Sequence, residues 1–243
     1  MKIFYFSGTG NSESVARKLG AGGECINIAA CENGSFEDEE IGFVFPVYCG
    51  GLPDIVREFI EASSFSARYI WAVATCGGSE GDSLKETDFL LRQKGFKLDY
   101  GASIVLPDNC IIFKTSPEKR EKLLTSEDNR VKALRADIDG RVINFKGGKV
   151  HCFARRVMWG AMNTVYGLNK KTASDKCVAC GKCADLCPCG NIEIKNGKAV
   201  FGSNCTQCFS CIHRCPVHAI SFGRLRVDDK TAYVHPLPEK PNN

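Results

Sequence analysis

Eight of the fifteen cysteines fall into two copies of one run, C-x-x-C-x-x-C-x-x-x-C-P, near the C-terminus. The first copy is Cys177, Cys180, Cys183 and Cys187, followed by Pro188. The second is Cys205, Cys208, Cys211 and Cys215, followed by Pro216. A tight coil with a cysteine at every third residue presents three thiolates to one metal cluster, and the fourth must come from elsewhere in the fold. The proline directs the chain out of the site and removes one backbone donor. The run is a ligand pattern for [4Fe–4S] cubanes.

The two copies are halves of a repeat. Each ligand and the proline recur 28 positions on, from Cys177 to Cys205, and so do Ile192 (as Ile220) and Ile194 (as Phe222). Each half therefore reads as a cysteine coil followed by a short strand. Disulfides would need an oxidising compartment, and Met1 to Phe6 is an apolar start that runs straight into a Gly-rich turn, unlike an export signal. Structural zinc uses paired C-x-x-C knuckles rather than three evenly spaced cysteines before Cys-Pro. Residues 172–223 resemble a bacterial-type two-cluster ferredoxin. That resemblance implies one cluster on Cys177, Cys180, Cys183 and Cys215, and another on Cys205, Cys208, Cys211 and Cys187.

The chain has 243 residues, enough for one medium domain and a small one. Its apolar runs are far shorter than a membrane span, so no transmembrane segment is expected. The formal charge of +4 counts every thiol as neutral. Two oxidised cubanes would add about −2 each, so the basic balance is no argument for nucleic acid. No Lys/Arg stripe with interleaved aromatics points that way either. A cytoplasmic location is expected.

The N-terminal half reads as alternating strands and helices, which implies a parallel doubly wound α/β sheet. Lys2 to Phe6 is a strand, and the turn Ser7-Gly8-Thr9-Gly10-Asn11-Ser12 opens a helix with Val15, Ala16 and Leu19 on one face. A strand, a Gly/Ser/Thr turn and a helix make an anion cradle. A Walker A loop lacks its lysine here, and a dinucleotide fingerprint lacks its third glycine, replaced by Glu13. Ile41 to Val47 reads as a buried strand running into Pro46-Val47-Tyr48-Cys49-Gly50-Gly51 and a helix from Asp54 to Ala62. Tyr69 to Thr75 is the next strand, followed by Cys76-Gly77-Gly78-Ser79-Glu80-Gly81-Asp82 and a helix to about Lys94. Phe96 to Leu106 reads as strand five. Three Gly-rich loops thus leave the carboxyl ends of strands, where such sheets bind ligands. The segment from Ala29 to Glu40 is too short and acidic for a full helix, so the sheet is expected to be trimmed there.

Hydroxyl-x-Thr-Gly-x-hydroxyl, matched by Ser7, Thr9, Gly10 and Ser12, resembles the FMN phosphate loop of flavodoxins. The chain as a whole resembles the ferredoxin–flavodoxin fusion family of anaerobes. That resemblance implies a flavodoxin-like five-stranded parallel sheet, then a small α+β ferredoxin unit carrying two [4Fe–4S] clusters. It also implies FMN held by Ser7, Thr9, Gly10, Asn11 and Ser12, by Pro46, Val47, Tyr48, Cys49 and Gly50, and by Thr75, Cys76, Gly77, Gly78, Gly81 and Asp82. Tyr48 is expected against or beside the flavin. The Cys76–Asp82 loop lacks a second sandwiching aromatic, so one flavin face is expected to be open. The implied function is electron transfer between clusters and FMN, coupled to an unidentified redox partner protein. A flavin-dependent reductase and a cluster-only protein with a vestigial flavin site are the alternatives.

The expected boundaries are 1–140 for the flavin domain, 141–171 for a helical linker, 172–223 for the ferredoxin and 224–243 for a Pro-rich tail. The polar stretch from Pro107 to Lys171 carries two expected helices, Pro117 to about Gly140 and His151 to about Leu168. The second holds Phe153, Val157, Met158, Trp159, Met162, Val165 and Tyr166, enough apolar surface either to dock the ferredoxin unit or to complete the first core. Asp108-Asn109 falls on the same sheet edge as the flavin loops. Cys49 and Cys76 read as small fillers, Cys189 as a rescue ligand or a buried thiol, and His213 and His218 as neighbours of the clusters or surface residues rather than ligands.

Overall fold

The computed structural model describes residues 1–237, apart from the side chains at positions 152–156 and 158. The last part of the expected tail, residues 238–243, and the expected helix-face residues Phe153 and Met158 lie outside that description. The described elements run β1 (Lys2–Tyr5), α1 (Asn11–Leu19), β2 (Glu24–Asn27), β3 (Ser35–Glu37), β4 (Glu40–Pro46), α2 (Asp54–Ala62), β5 (Ser64–Ser66), β6 (Tyr69–Cys76), α3 (Ser83–Arg92) and β7 (Tyr100–Val105). There follow α4 (Pro117–Thr125), α5 (Glu127–Asp139), α6 (Cys152–Tyr166), β8 (Lys171–Ala173), α7 (Lys182–Asp185), β9 (Ile192–Lys195), β10 (Lys198–Phe201), α8 (Ser210–His213), β11 (Ile220–Phe222) and β12 (Leu225–Arg226).

Five strands form one sheet in the order β2-β1-β4-β6-β7, every pair parallel. This is the flavodoxin-like order, with its switch point between β1 and β4. Alternation sends Phe4, Phe6, Phe43, Phe45, Ala72 and Ala74 to one face, against α2 and α3. Ile3, Tyr5, Val44, Trp71 and Val73 go to the other, against α1 and α5. All eight residues of β6 are buried, as expected of a central parallel strand covered on both faces. Gly42 is required beside it, because a Cβ there would lie 2.2 Å from the Trp71 ring.

The sheet is not trimmed where the sequence suggested. β2 pairs along its whole length with β1, and only the following helix is reduced, to a three-residue 3-10 turn at Ile28–Ala30. Strand five is shorter than Phe96–Leu106. Phe96 N–H still donates to Leu91 O at the end of α3, and Asp99 clamps the entry to β7 by accepting from Ile70 N–H at 3.0 Å. The expected single helix from Pro117 to Gly140 is two. Thr125 and Ser126 donate their hydroxyls to the carbonyls of Glu121 and Lys122, the back-bonding that bends helices. Turning the chain there sends Glu127 inward, where it is buried.

The C-terminal segment keeps its twofold character. β9 and β10 form one hairpin, and β11 pairs with β8 and β12. Left-handed residues recur at the repeat spacing: Ala179 with Gln207, Gly181 with Phe209, and Gly190 with His218.

The tail crosses the start of α1 as a strap. Tyr233 O–H donates to Asn11 Oδ1 at 2.6 Å, His235 N–H donates to Thr9 O, and His235 Nε2 meets Glu127 Oε2 at 2.7 Å with both side chains buried. Burial alone would raise the Glu127 carboxyl. Hydrogen bonds from His235 and Ser14, and the nearby Lys18 ammonium, instead hold it down at about 2, below the 4.5 ordinary for glutamate. The stability this adds is fully present above the ordinary value and is lost as pH falls from there toward 2. Thermal unfolding should therefore show a larger fall in Tm between pH 5 and pH 3 for the wild type than for Glu127→Gln. Equal falls would show that the pair is not linked to folding.

Candidate functional site

The eight cysteines of the paired runs divide between two small cavities. One is lined by Cys177, Cys180, Cys183 and Cys215. The other is lined by Cys187, Cys205, Cys208 and Cys211, with Cys189 on its wall. The last cysteine of each run has crossed to the other run's cavity. Main-chain donors reach the sulfurs symmetrically: Asn191 N–H to Cys187 Sγ and Ala219 N–H to Cys215 Sγ, both at 3.3 Å. Burial and then the neighbouring cysteines push the Cys208 thiol up to about 12 and Cys211 higher. Cys208 and Cys211 therefore hold their protons until a cationic centre binds, which fits them as ligands of a metal cluster. Among the described residues no three His, Cys, Asp or Glu side chains close on a single ion. A cubane spreads its four ligands over four iron corners rather than closing them on one ion.

The first cavity is peripheral, with Cys180 exposed and Val178 beside it exposed as well. The second is inserted into the sheet domain. Cys208 belongs to the core over one sheet face, together with Phe6 and Leu52, and Asn109 Nδ2–H donates to its carbonyl at 3.3 Å. A Cβ on Gly8 would lie 2.3 Å from that same carbonyl oxygen, so the glycine allows the cysteine coil to touch the phosphate-type loop. In exchange, Ile111 from the loop after β7 is buried in the core around the cysteines. His213 is buried between the two, its Nε2 2.7 Å from Asn109 O and its Nδ1 accepting from Tyr233 N–H. Burial holds its pKa down, and these partners make it a neutral bridge rather than a ligand.

At the switch point, Ser7, Gly8, Thr9, Asn11 and Ser12 line a small cavity with Pro46, Val47, Thr75, Cys76, Gly77, Asp108 and Asn109. α1 begins at Gly10 with φ 105° and no side-chain cap, leaving its first amides for an anion. Ser7 Oγ accepts from Gly10 N–H, and the hydroxyls of Ser12 and Thr75 lie 2.8 Å apart. Val47, Asp108 and Asn109 are shared with a larger cleft of about 530 Å³, which also takes in Tyr48, Cys49, Trp159, Met162 and Phe209. Three buried polar atoms around this cleft have no protein partner: Tyr48 Oη, Thr206 Oγ1 and Gln207 Oε1. An uncapped helix start beside a hydroxyl-lined cavity, leading to an apolar cleft with orphaned polar atoms, fits a phosphate-bearing aromatic cofactor.

Not every expected contact is brought in. Gly50 and Gly81 pack on each other, with Asp82 N–H donating to Gly50 O at 2.8 Å; the Asp82 carboxylate is turned to Lys85 and His151. Gly78 lines neither cavity, and Gly10 is covered by His235. The Cys76–Asp82 loop brings no aromatic to the cleft, and the aromatics on its wall are Tyr48, Trp159 of α6 and Phe209. Phe209 holds a left-handed φ of 57°, where the first half of the repeat has Gly181. That conformation costs a non-glycine residue about 1–2 kcal/mol, offset here by its edge-on contact with Phe222 at 5.1 Å. Among the described residues, no α6 side chain belongs to either core over the sheet. His151 N–H before it donates to Asp82, and Tyr166 O at its end accepts from Arg224 N–H.

No family model matches the chain. A stretch of 27 residues is 59% identical to Ferredoxin-2 of Desulfomicrobium norvegicum, covering 11% of this chain and 46% of that protein. A stretch of 49 residues is 43% identical to a ferredoxin of Pyrobaculum islandicum, covering 19% of this chain and 46% of that one. The chain spans about half the length of these curated relatives. The chain joins a flavodoxin-like sheet to a ferredoxin-like segment. Among solved structures, two-electron reduced Megasphaera elsdenii flavodoxin aligns over 54% of this chain and 98% of its own, at 17% identity and a TM-score of 0.34. No helix among the described residues is long and apolar enough to cross a membrane.

Proposed function

We propose that this chain is an electron-transfer protein holding two [4Fe–4S] clusters and one FMN, and that it couples one-electron carriers to a redox partner protein in the cytoplasm. The observation that carries the reading is the division of eight cysteines into two cavities of four, one of them beside the cleft at the switch point. Cys177, Cys180, Cys183 and Cys215 are the ligands of one cluster, and Cys187, Cys205, Cys208 and Cys211 those of the other. Ser7, Thr9, Asn11 and Ser12 hold the FMN phosphate beside Thr75, with the ring in the cleft by Val47, Tyr48 and Cys49. Clusters supply one-electron chemistry, and a flavin exchanges either one electron or two.

The chain's own residues do the rest. N–H donors from Asn191, Gln207 and Ala219 favour extra negative charge on the sulfurs. Trp159, Met162 and Phe209 exclude water from the cleft, and the exposed edge at Val178 and Cys180 offers the outer cluster to a partner. The domains follow as 1–140 for flavin and 172–223 for the clusters, with α6 between them and the tail as a strap. The apolar cleft also suits a reductase of a small organic substrate.

Anaerobic isolation decides among the readings. The expected result is about eight irons and eight sulfides with one FMN per chain, and no turnover of quinones or nitroaromatics beyond that of free FMN. Iron without FMN would overturn the flavin part, and rapid saturable turnover would favour the reductase.

A further inference from the structure

Tyr48 stands where the cleft meets the inner cysteine cavity. Its backbone is fixed by paired hydrogen bonds with Gly51, N–H to O in both directions at 3.0 Å. Its ring lies edge-on to Phe6, with centroids 6.4 Å apart and planes at 85°, and packs against the core that contains Cys208. One part of the ring lines the cleft beside Cys205, Thr206 and Phe209. The hydroxyl is buried and has no hydrogen-bond partner. The ionisable groups near enough to act on it are the thiols of Cys208, Cys205 and Cys189.

A buried phenol O–H without an acceptor is costly and rare in folded proteins. The groups around this one are sulfurs, and a thiol is a poor acceptor while a thiolate or sulfide bound to iron is a much better one. We propose that the Tyr48 hydroxyl donates a hydrogen bond to the sulfurs of the centre held by Cys187, Cys205, Cys208 and Cys211, and so raises that centre's reduction potential. The inference rests on the reading of that cavity as a cubane site. A donor aimed at sulfur stabilises the more negative, reduced state. Among the described residues the outer cavity has no tyrosine, serine or threonine on its wall, so the effect belongs to one centre only. The same side chain joins the two parts of the site, its ring in the cleft and its hydroxyl at the sulfurs.

The test is an EPR-monitored redox titration of anaerobically isolated full-length protein, comparing wild type with Tyr48→Phe at matched iron and sulfide content. The expected result is a negative shift of one midpoint and no change in the other. Incorporating 3-fluorotyrosine at position 48, a stronger donor of nearly the same volume, should move that midpoint the opposite way. In D2O, the reduced wild type should show an exchangeable deuteron coupled to one cluster that is missing from Tyr48→Phe. Two unchanged midpoints, or equal shifts of both, would overturn the inference while leaving the electron-transfer reading intact. Wild type that holds no cubane would overturn both.

Discussion

Cys208→Ser is expected to remove one whole cluster, taking iron from about eight to about four per chain and leaving a single cubane signal in the reduced protein. Cys208 is buried in two senses. It lines the inner cavity with Cys187, Cys205 and Cys211, and it packs in the sheet core with Phe6 and Leu52. Serine offers a harder and shorter ligand at the first and an unpartnered hydroxyl at the second. The latter alone costs about 1–3 kcal/mol on mutational scales. Stability should therefore fall together with the iron, which sets this position apart from the exposed Cys180. Cys180→Ser should remove the outer cluster with a smaller loss of Tm. Cys189→Ser is the internal control. Cys189 lies on the wall of the inner cavity, but the four ligands of that cavity, the crossed Cys187 among them, are already present, so iron and sulfide should stay at wild-type levels. Iron and acid-labile sulfide per chain, measured with EPR of the reduced protein, check all three.

The second large effect is expected at Gly8. A Cβ there would sit 2.3 Å from Cys208 O, a backbone atom that no rotamer change can move aside. Gly8→Val should cost about 1–3 kcal/mol or more from overpacking and should push the cysteine coil away from the phosphate loop. FMN retention should drop with Tm, because the same loop lines the hydroxyl-bearing cavity. Gly78→Ala is the matched control, since a Cβ at Gly78 meets nothing within 4 Å. Anaerobic thermal unfolding with flavin quantification separates the two. If Gly8→Val behaved like Gly78→Ala, the two halves would not be packed as described.

The parts of the molecule legible in the sequence are those with a local signature. The cysteine runs carry their repeat in their spacing, and the structure adds left-handed residues at the same interval, as at Ala179 and Gln207. Phe4 and Phe6 alternate with Ile3 and Tyr5, so the two faces of β1 could be read directly. Contacts between distant segments leave no such mark. Nothing near Cys208 signals that its coil enters the sheet core, and nothing near His235 signals a partner at Glu127, 108 positions away. Tyr48 was legible as the aromatic of the Gly-rich loop after β4, but its packing against the core that holds Cys208 depends on a coil more than 150 residues later. Trp159 was visible as one apolar residue of a helix. Its place in the cleft follows from α6 spanning the distance between Asp82 and Arg224. The split of the expected 117–140 helix is local in origin, since Thr125-Ser126 is a back-bonding pair that reads as ordinary helix surface.

Flash photoreduction tests whether one chain passes electrons internally between flavin and clusters. A single electron is delivered anaerobically by a photoexcited donor, and the flavin and cluster absorbances are followed over time at several protein concentrations. The flavin and cluster bands should change together in a first-order phase whose rate does not depend on protein concentration. A phase whose rate rises in proportion to protein concentration, or cluster and flavin bands that relax independently, would contradict it.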